Sequence, residues 1–319
     1  MIHSKNYKLL AVCIAALMFC LVVLGIACNK NSSSSSTNSD NDSLSFIVMG
    51  DWGKDGAEFQ KPVADQLDVY SRKFHAQFIV TTGDNFYLYG VASTTDPHWK
   101  ASFEDIYNKE GHQLPWYPSL GNHDYGLNPQ AQVMYSAISN RWKMPARYYS
   151  IKKSIDSSHA VLLAFTDTSP FVSSYYGQSM ADLDTQDTAA QVKWLRQTLL
   201  TSNETWKIAI GHHPVYSSGL HGNTPELISR FKPIFVQSKL DFYLCGHDHT
   251  LEYIFNPSEP VRYLVSGGGS ENTPVLGSSN TLFAKSSPGF LVMTLYANKA
   301  NFYYYNQLGT LLYQTQVKK

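Results

Sequence analysis

Five short apolar segments, each followed at once by a turn rich in potential ligands, constrain the fold of this chain most strongly. The segments are residues 46–49, 78–80, 117–120, 208–210 and 242–244. The turns that follow them read Gly50-Asp51-Trp52-Gly53, Gly83-Asp84-Asn85-Phe86-Tyr87, Gly121-Asn122-His123-Asp124, Gly211-His212-His213-Pro214 and Gly246-His247-Asp248-His249. Short apolar runs bounded by glycine are typical of buried strands, and a parallel sheet brings its strand ends to one edge, where sites form. We therefore expect these turns to meet at one pocket.

The rest of the pattern predicts the fold class. Apolar residues recur at helical spacing after the first strand (59–70) and before Trp206 (192–199). From residue 253 onward, period-two segments follow one another without an intervening helix. These segments are residues 262–265, 290–295, 300–305 and 311–317. We predict an α/β fold over residues 44–319, a two-sheet α/β sandwich with a βαβαβ core, mixed sheets and helices outside, whose second sheet is largely antiparallel.

The first 43 residues have the composition of a targeting segment and a tether. Lys5 and Lys8 precede an apolar run over 9–27, and Cys28 follows directly, which resembles a bacterial lipoprotein signal. The prediction is a signal peptide over 1–27 and a Ser/Asn-rich tether over 28–43. We expect an exported cell-envelope lipoprotein, or alternatively a secreted protein, whose only membrane contact is the N-terminal lipid. An uncleaved membrane anchor is the other reading, because the run approaches the ~20 residues that span a bilayer.

Composition excludes some classes of partner and of fold. The chain has 319 residues with 25 basic and 25 acidic side chains, so its formal net charge is zero. A protein with an extended nucleic-acid surface would need an excess of Lys and Arg. Of the 4 cysteines, only Cys245 would lie in the folded domain, so the prediction is a monomer held by its core without disulfides. Cys245 itself reads as a small buried residue and not as a ligand.

The side chains of the five turns suit a pair of metal ions. Asp84 can bridge two ions through its carboxylate, and Tyr87 lies three residues on. A phenolate ligand favours a highly charged cation such as ferric iron, because tyrosine has an unperturbed pKa of ~10. Neutral amide and imidazole ligands suit a divalent ion. With Asp248 pointing away in an extended His-x-His, His247 and His249 would both face the site.

These motifs together resemble those of the purple acid phosphatases, in particular the small tartrate-resistant type, within the metallophosphoesterase superfamily. The resemblance covers residues 44–319, which it implies to be one calcineurin-like catalytic domain. Ordinary metallophosphoesterases carry a His two residues after the first Asp, where this chain has Gly53, and Tyr87 fills the vacancy. The resemblance implies a binuclear centre of Fe(III) and a divalent ion (Fe, Zn or Mn). It also implies hydrolysis of small phosphate monoesters to alcohol and phosphate, by hydroxide that the metals activate, at acidic pH.

The same resemblance implies a role for each site residue. The ferric ion would be held by Asp51, Asp84, Tyr87 and His249, and the divalent ion by Asp84, Asn122, His212 and His247. His123 would contact the phosphate or protonate the leaving alkoxide, with Asp124 orienting its ring. His221, nine residues after His212, would be a second substrate histidine.

Two local alternatives remain open on the sequence. A shifted strand pleat would exchange the roles of His212 and His213. Residues 169–188 lack a clear pattern, and they are either a functional loop over the site or a surface excursion.

Three other functions compete with the monoesterase. A phosphodiesterase or a nucleotide phosphohydrolase could use the same metals. A phosphate-binding or protein-interacting module would have the fold without turnover, although the full ligand set argues against it. An exposed iron pair could instead generate oxygen radicals.

Overall fold

The structure is a computed structural model that describes residues 42–319. The predicted signal at 1–27, the predicted lipidation site Cys28 and the tether as far as residue 41 lie outside the described residues. Within the described part of the chain, no helix is both long enough and apolar enough to cross a membrane.

Thirteen strands and five α-helices follow one another along the described chain. The strands are β1 (Leu44–Met49), β2 (Ile79–Thr81), β3 (Trp116–Pro118), β4 (Tyr149–Ser154), β5 (Ala160–Phe165), β6 (Trp206–Ile210), β7 (Phe242–Cys245), β8 (Leu251–Phe255), β9 (Arg262–Ser266), β10 (Thr281–Lys285), β11 (Gly289–Leu295), β12 (Lys299–Asn306) and β13 (Leu311–Lys318). The helices are α1 (Gln60–Lys73), α2 (Pro129–Tyr135), α3 (Thr188–Leu200), α4 (Pro225–Arg230) and α5 (Lys232–Ser238). A six-residue π-helix (Trp99–Glu104) lies between β2 and β3.

The strands form two mixed sheets, which confirms the predicted sandwich. The first sheet has the order β13-β12-β11-β1-β2-β3, and the second has the order β10-β8-β9-β7-β6-β5-β4. Strands β1, β2 and β3 run parallel, as do β5, β6, β7 and β9. The prediction of a largely antiparallel second sheet is wrong, because the C-terminal strands are shared between the sheets. Strands β11–β13 extend the first sheet, whereas β8 and β10 extend the second.

Alternation along the strands divides the apolar residues between two cores. In β5, Val161, Leu163 and Phe165 belong to the larger apolar core, which also contains side chains of β1, β2 and α1. The alternate residues Leu162 and Ala164 pack instead against the apolar faces of α3, α4 and α5. The two-residue period of a strand therefore makes one sequence contact a sheet on one side and helices on the other. Cys245 is fully buried in the helix-side core, as predicted.

An aromatic cluster supports the first ligand-bearing turn. Trp52, one residue after Asp51, lies at its centre and is fully buried. The ring centroids of Phe86, Phe103, Tyr107, Trp116 and Trp142 lie between 5.3 and 6.4 Å from that of Trp52. The indole Nε1 of Trp52 donates a hydrogen bond to Oδ1 of Asn85 over 3.2 Å. The turn after β1 and the turn after β2 are thus held to each other by packing as well as by polar contacts.

We expect Phe103→Ala to lower the free energy of unfolding by about 3–5 kcal/mol, because it leaves a cavity in this cluster. Urea denaturation followed by circular dichroism measures the change. The control is Leu282→Ala in β10, where the side chain is 56% exposed and the expected change is within about 0.5 kcal/mol. Equal effects of the two substitutions would contradict a stabilising role for the cluster.

Candidate metal centre

The five ligand-bearing turns meet, but they do so between two sheets and not along the edge of one. The turns after β1, β2 and β3 belong to the first sheet, and the turns after β6 and β7 belong to the second. Their contact is direct: the backbone N–H of His247 reaches Oδ2 of Asp51 over 3.1 Å, and Nδ1 of His212 lies 2.9 Å from the carbonyl oxygen of Thr82. The sandwich therefore brings the carboxyl ends of parallel strands from both sheets to one place.

Glycines allow this close approach. A Cβ on Gly121 would lie 2.1 Å from Oδ1 of Asp84, and one on Gly246 would lie 2.3 Å from Oδ2 of Asp51. Any other residue at either position would have to displace a carboxylate of the site. The backbone at Asp51, Asp84 and His247 is itself left-handed, with φ of 62°, 49° and 69°. Such angles cost non-glycine residues about 1–3 kcal/mol each and persist where the surroundings fix them.

One group of side chains surrounds the phenol of Tyr87. Its hydroxyl oxygen lies 3.2 Å from Oδ1 of Asp51, 3.1 Å from Oδ2 of Asp84 and 3.1 Å from Nε2 of His249. Both carboxylates are buried, and Tyr87 is 6% exposed. These are the four side chains that the family resemblance assigns to the ferric ion.

A second group surrounds the imidazole of His212. Its Nε2 lies 3.0 Å from Oδ1 of Asn122, 3.2 Å from Nδ1 of His247 and 3.4 Å from Oδ2 of Asp84. These are the side chains assigned to the divalent ion. Oδ2 of Asp84 belongs to both groups, which is the arrangement expected of a bridging carboxylate.

The donor set of this site fits cations. The Thr82 carbonyl can only accept, so Nδ1 of His212 carries the hydrogen and Nε2 presents a lone pair to the site. The nitrogen of His247 that lies 3.2 Å from it is a second lone pair unless protonated. Among the described residues, neither Asp51 nor Asp84 forms an ion pair with Lys or Arg; histidines are their partners. Lone pairs this close repel one another unless a proton or a metal ion lies between them.

The pKa values of His212 and Tyr87 both indicate that this site favours positive charge. Although burial opposes it, the negative charge of Asp84 raises the pKa of His212 to about 9. Burial raises the pKa of Tyr87 well above its ordinary value, and the negative charges of Asp84 and Asp51 add to the rise. Tyr87 can therefore become a phenolate only beside a strongly charged cation.

His123 lies at the rim of the site, but Asp124 does not orient it. Nδ1 of His123 contacts the carbonyl oxygen of Leu88 at 2.7 Å, and Nε2 lies 3.9 Å from Oδ2 of Asp84. The expected pairing with Asp124 is wrong, because that carboxylate is buried and accepts hydrogen bonds from backbone N–H groups instead.

Asp124 instead joins the turns to one another. It accepts hydrogen bonds from the backbone N–H groups of Asn85, Phe86 and Gly121 at 2.8–3.1 Å. The side chain of Gln132 donates to it as well, over 2.8 Å. Burial raises the pKa of Asp124 to about 6, and the negative charge of Asp84 contributes. Asp124 thus holds the loops that carry the ligands.

The two adjacent histidines after β6 have different surroundings. His212 meets Asp84 and Asn122, so the structure has the expected register. His213 is also buried, close to His247, but both of its ring nitrogens are engaged by hydroxyl groups. Nδ1 lies 2.9 Å from Oγ1 of Thr168, and Nε2 lies 2.8 Å from the hydroxyl of Tyr175.

His221 reaches the site through a loop that Asp248 anchors. The ring centroids of His221 and His247 are 4.4 Å apart. Asp248 points away from the site, as predicted, and accepts hydrogen bonds from the His221 backbone N–H at 2.8 Å and the Ser217 hydroxyl at 2.5 Å. The segment is not extended, however, because His247 has a left-handed φ of 69°.

Sequence reasoning missed two supporting residues. Oε1 of Glu271 lies 3.0 Å from Nδ1 of His249, and its other oxygen pairs with Lys54 at 2.5 Å. No motif marks Glu271, which follows the glycine-rich turn after β9. Tyr175, the second, comes from the patternless segment 169–188, which forms short 3₁₀ turns beside the site. That segment was left open between a functional loop and a surface excursion, and it lines the cleft.

Comparison with known proteins gives concordant results. Residues 44–251 match the calcineurin-like phosphoesterase family. Purple acid phosphatase 7 of Arabidopsis thaliana is 34% identical over 289 residues, 87% of each chain. Tartrate-resistant acid phosphatase type 5 of Oryctolagus cuniculus is 33% identical over 245 residues, covering 72% of this chain and 74% of its own.

Solved structures share the fold over most of the chain. One is described as GAP50, the anchor in the inner membrane complex of Plasmodium, with a TM-score of 0.77, 26% identity, and coverage of 86% of this chain and 89% of that one. A purple acid phosphatase from yellow lupin (Lupinus luteus) seeds has a TM-score of 0.66 at 15% identity, and the match covers 86% of this chain and 54% of that one. At that identity the second likeness concerns the fold alone.

We expect Asp84→Asn to reduce the metal content from about two ions per chain to one or fewer, because it removes a charge that both groups share. Metal analysis of the purified protein measures the ratio. The control is Asp184→Asn in an exposed 3₁₀ turn, which should leave the content unchanged. Two ions retained in Asp84→Asn would exclude a bridging role for this carboxylate.

Proposed function

The chain belongs to the purple acid phosphatases of the calcineurin-like phosphoesterase family, and from that premise we propose how its residues hydrolyse phosphate monoesters. It is a binuclear-metal acid phosphatase, as its family and its groups of Asp and His side chains indicate. The observation that carries the assignment of residues is the position of one oxygen, Oδ2 of Asp84. It lies 3.1 Å from the phenol oxygen of Tyr87 and 3.4 Å from Nε2 of His212, between the two ligand groups.

The two ligand groups differ in charge, and this supports two different ions. Asp51, Asp84 and Tyr87 supply up to three negative charges on one side, so we propose Fe(III) there, with His249 as its neutral ligand. Asn122, His212 and His247 are neutral, and with Asp84 they suit a divalent ion of iron, zinc or manganese. When bound, the ions supply Lewis acidity, which lowers the pKa of water and stabilises negative charge on the phosphoryl oxygens.

Neighbouring groups of the protein orient the histidine side chains of the site. The Thr82 carbonyl fixes the tautomer of His212, and Glu271 lies at the far nitrogen of His249, so both rings present Nε2 to the site. Buried side chains and the aromatic cluster around Trp52 exclude water from the interior side of the site. Substrate enters from the side of His123 and His221, since these two histidines lie at the open rim.

We assign proton donation to the leaving oxygen to His123. The Leu88 carbonyl holds Nδ1–H of His123, so the second nitrogen, Nε2, is the one that faces the site. In the imidazolium form this nitrogen carries the proton that a departing alkoxide requires. The outward position of His123, 35% exposed, is compatible with a variable leaving group.

Several features outside the described residues support export. The basic start and the apolar run before Cys28 have the layout of a lipoprotein signal, and the family match begins at residue 44, after the tether. We propose that residues 44–319 form the catalytic domain of a monomeric cell-envelope enzyme. Palmitate labelling of the full chain, lost in Cys28→Ala, would support lipidation; unchanged labelling would contradict it.

The proposed activity is tested with p-nitrophenyl phosphate against bis-p-nitrophenyl phosphate, across pH, on residues 44–319 with their metals. A higher kcat/KM for the monoester at acidic pH supports the monoesterase. A preference for the diester would support the competing phosphodiesterase. No turnover in protein that contains both metals would instead support a non-catalytic module.

His123→Asn should lower kcat by about 10²–10⁴-fold with both metals retained, because His123 acts on the leaving group and not as a ligand. The control is His75→Asn, at an exposed position after α1, with kcat expected to be unchanged. A phenyl ester with a good leaving group should lose less activity than an alkyl ester. If both esters lose activity equally, His123 does not donate the proton.

Tyr87→Phe should fold normally but lose the visible charge-transfer band of the iron-loaded protein, because the band requires a phenolate bound to Fe(III). Absorption spectra of the variant and of Tyr89→Phe are compared at equal iron content. Tyr89 is 65% exposed two residues further on, so its variant should stay purple. A purple Tyr87→Phe protein would mean that another residue is the phenolate.

A further inference from the structure

His213 forms one hydrogen bond with the hydroxyl of Thr168 and another with the hydroxyl of Tyr175, which lines the open cleft. It follows the proposed ligand His212 and is buried, yet it is no ligand in the assignment above. Thr168, at the end of β5, contacts Nδ1 on one side of the ring, and Tyr175 contacts Nε2 on the other. The direction of these two bonds follows from counting hydrogens.

The hydroxyl oxygen of Thr168 already accepts two hydrogen bonds. The backbone N–H groups of His212 and His213 donate to it over 3.2 and 3.1 Å. A hydroxyl oxygen has two lone pairs, and both are therefore occupied. Nδ1 of His213 lies 2.9 Å from this hydroxyl oxygen. Since both lone pairs of the hydroxyl are occupied, Thr168 can interact with Nδ1 only by donating its own hydrogen. Thr168 is the donor, and Nδ1 is the acceptor.

The direction of the second bond follows from the first. A neutral imidazole with a bare Nδ1 carries its hydrogen on Nε2, so Nε2–H donates to the oxygen of Tyr175 over 2.8 Å. That leaves the phenolic hydrogen of Tyr175 free to be donated elsewhere.

Tyr175 lines a cleft of about 530 Å³. Asn122, His221 and His247 line the same cleft, so it opens onto the divalent-ion group. The loop that carries Tyr175 is fixed to α4, because Glu226 accepts hydrogen bonds from the hydroxyl and, over 3.0 Å, from the backbone N–H of Ser173. Tyr175 is thus held in place by the contact of its loop with α4 and by its hydrogen bond with His213.

We propose that Tyr175 is a substrate-binding residue that donates its phenolic hydrogen bond to a phosphoryl oxygen. The deprotonated oxygens of a phosphate only accept hydrogen bonds, so a phenol that already accepts a hydrogen bond and still has its own hydrogen to donate is a suitable partner. The inference rests on the proposed function in its choice of ligand. It adds a contact to phosphate from the segment 169–188, beside those of His123 and His221.

The test measures binding of inorganic phosphate by calorimetry to the metal-loaded domain, 44–319, and therefore does not depend on turnover. Tyr175→Phe should weaken the affinity for phosphate about tenfold or more, since a hydrogen bond to a charged group is lost. In the same variant KM for a monoester should rise by a similar factor, with kcat within about threefold, because the contact exists before and during the reaction. Metal content should stay at two.

Tyr176→Phe is the matched control. Its hydroxyl donates to the carbonyl of Pro170 over 2.8 Å within the same loop, so this variant loses a loop hydrogen bond but no donor to the cleft. Phosphate affinity should be unchanged. An equal loss in Tyr175→Phe and Tyr176→Phe would overturn the proposal, because loop stability alone would then explain both.

A double-mutant cycle with His213→Phe separates orientation from contact. If His213 acts only by orienting Tyr175, the variant His213→Phe should also weaken phosphate binding, and the double variant should be no weaker than Tyr175→Phe alone. Additive losses, or unchanged affinity in Tyr175→Phe, would exclude the hydrogen-bond chain. A wild-type domain that binds phosphate without hydrolysing it would refute the proposed function while leaving this comparison valid.

Discussion

Two buried carboxylates without a Lys or Arg partner require the rest of this site to supply positive charge. Asp51 and Asp84 lie among histidines and a phenol at the junction of the sheets, within the described chain. Burying unpaired charge is costly, and a carboxylate in such a place either binds a proton or neutralises a cation. A pair of metal ions meets this demand directly. The pKa of His212, which the negative charge of Asp84 raises to about 9, reflects the same preference for positive charge.

Concentrating these charges requires a backbone that most residues would not adopt. Strand ends from both sheets meet because glycines let carboxylates lie against neighbouring turns, as at Gly121 and Gly246. The left-handed backbone of Asp51 and Asp84 turns each side chain inward directly after its strand. Asp124 and the aromatic cluster below oppose this strain by binding the turns together. These contacts thus offset the free-energy cost of the strained backbone at the site.

The ligands were predictable from sequence because each follows a short buried strand within a recognisable turn. The seven proposed ligands all lie where such turns place them. The sharing of C-terminal strands between two sheets was not predictable, since strand pairing depends on contacts far apart in the chain. The role of Asp124 was predicted wrongly for a similar reason: adjacency in sequence to His123 said nothing about the backbone N–H groups that surround its carboxylate. Glu271 and Tyr175 belong to no motif, so tertiary structure alone identifies them.

In three histidines of the site, the partner of Nδ1 determines which ring nitrogen carries the hydrogen and therefore what the ring can do. His212 and His123 each have a backbone carbonyl at Nδ1, which accepts a hydrogen and leaves Nε2 to face the site. His213 has a hydroxyl at Nδ1 whose lone pairs are filled, so its hydrogen lies on Nε2 instead. Of these two adjacent residues, His212 therefore presents a lone pair to the site, and His213 donates a hydrogen to Tyr175. Their side chains are identical, so the difference lies wholly in the partner of Nδ1.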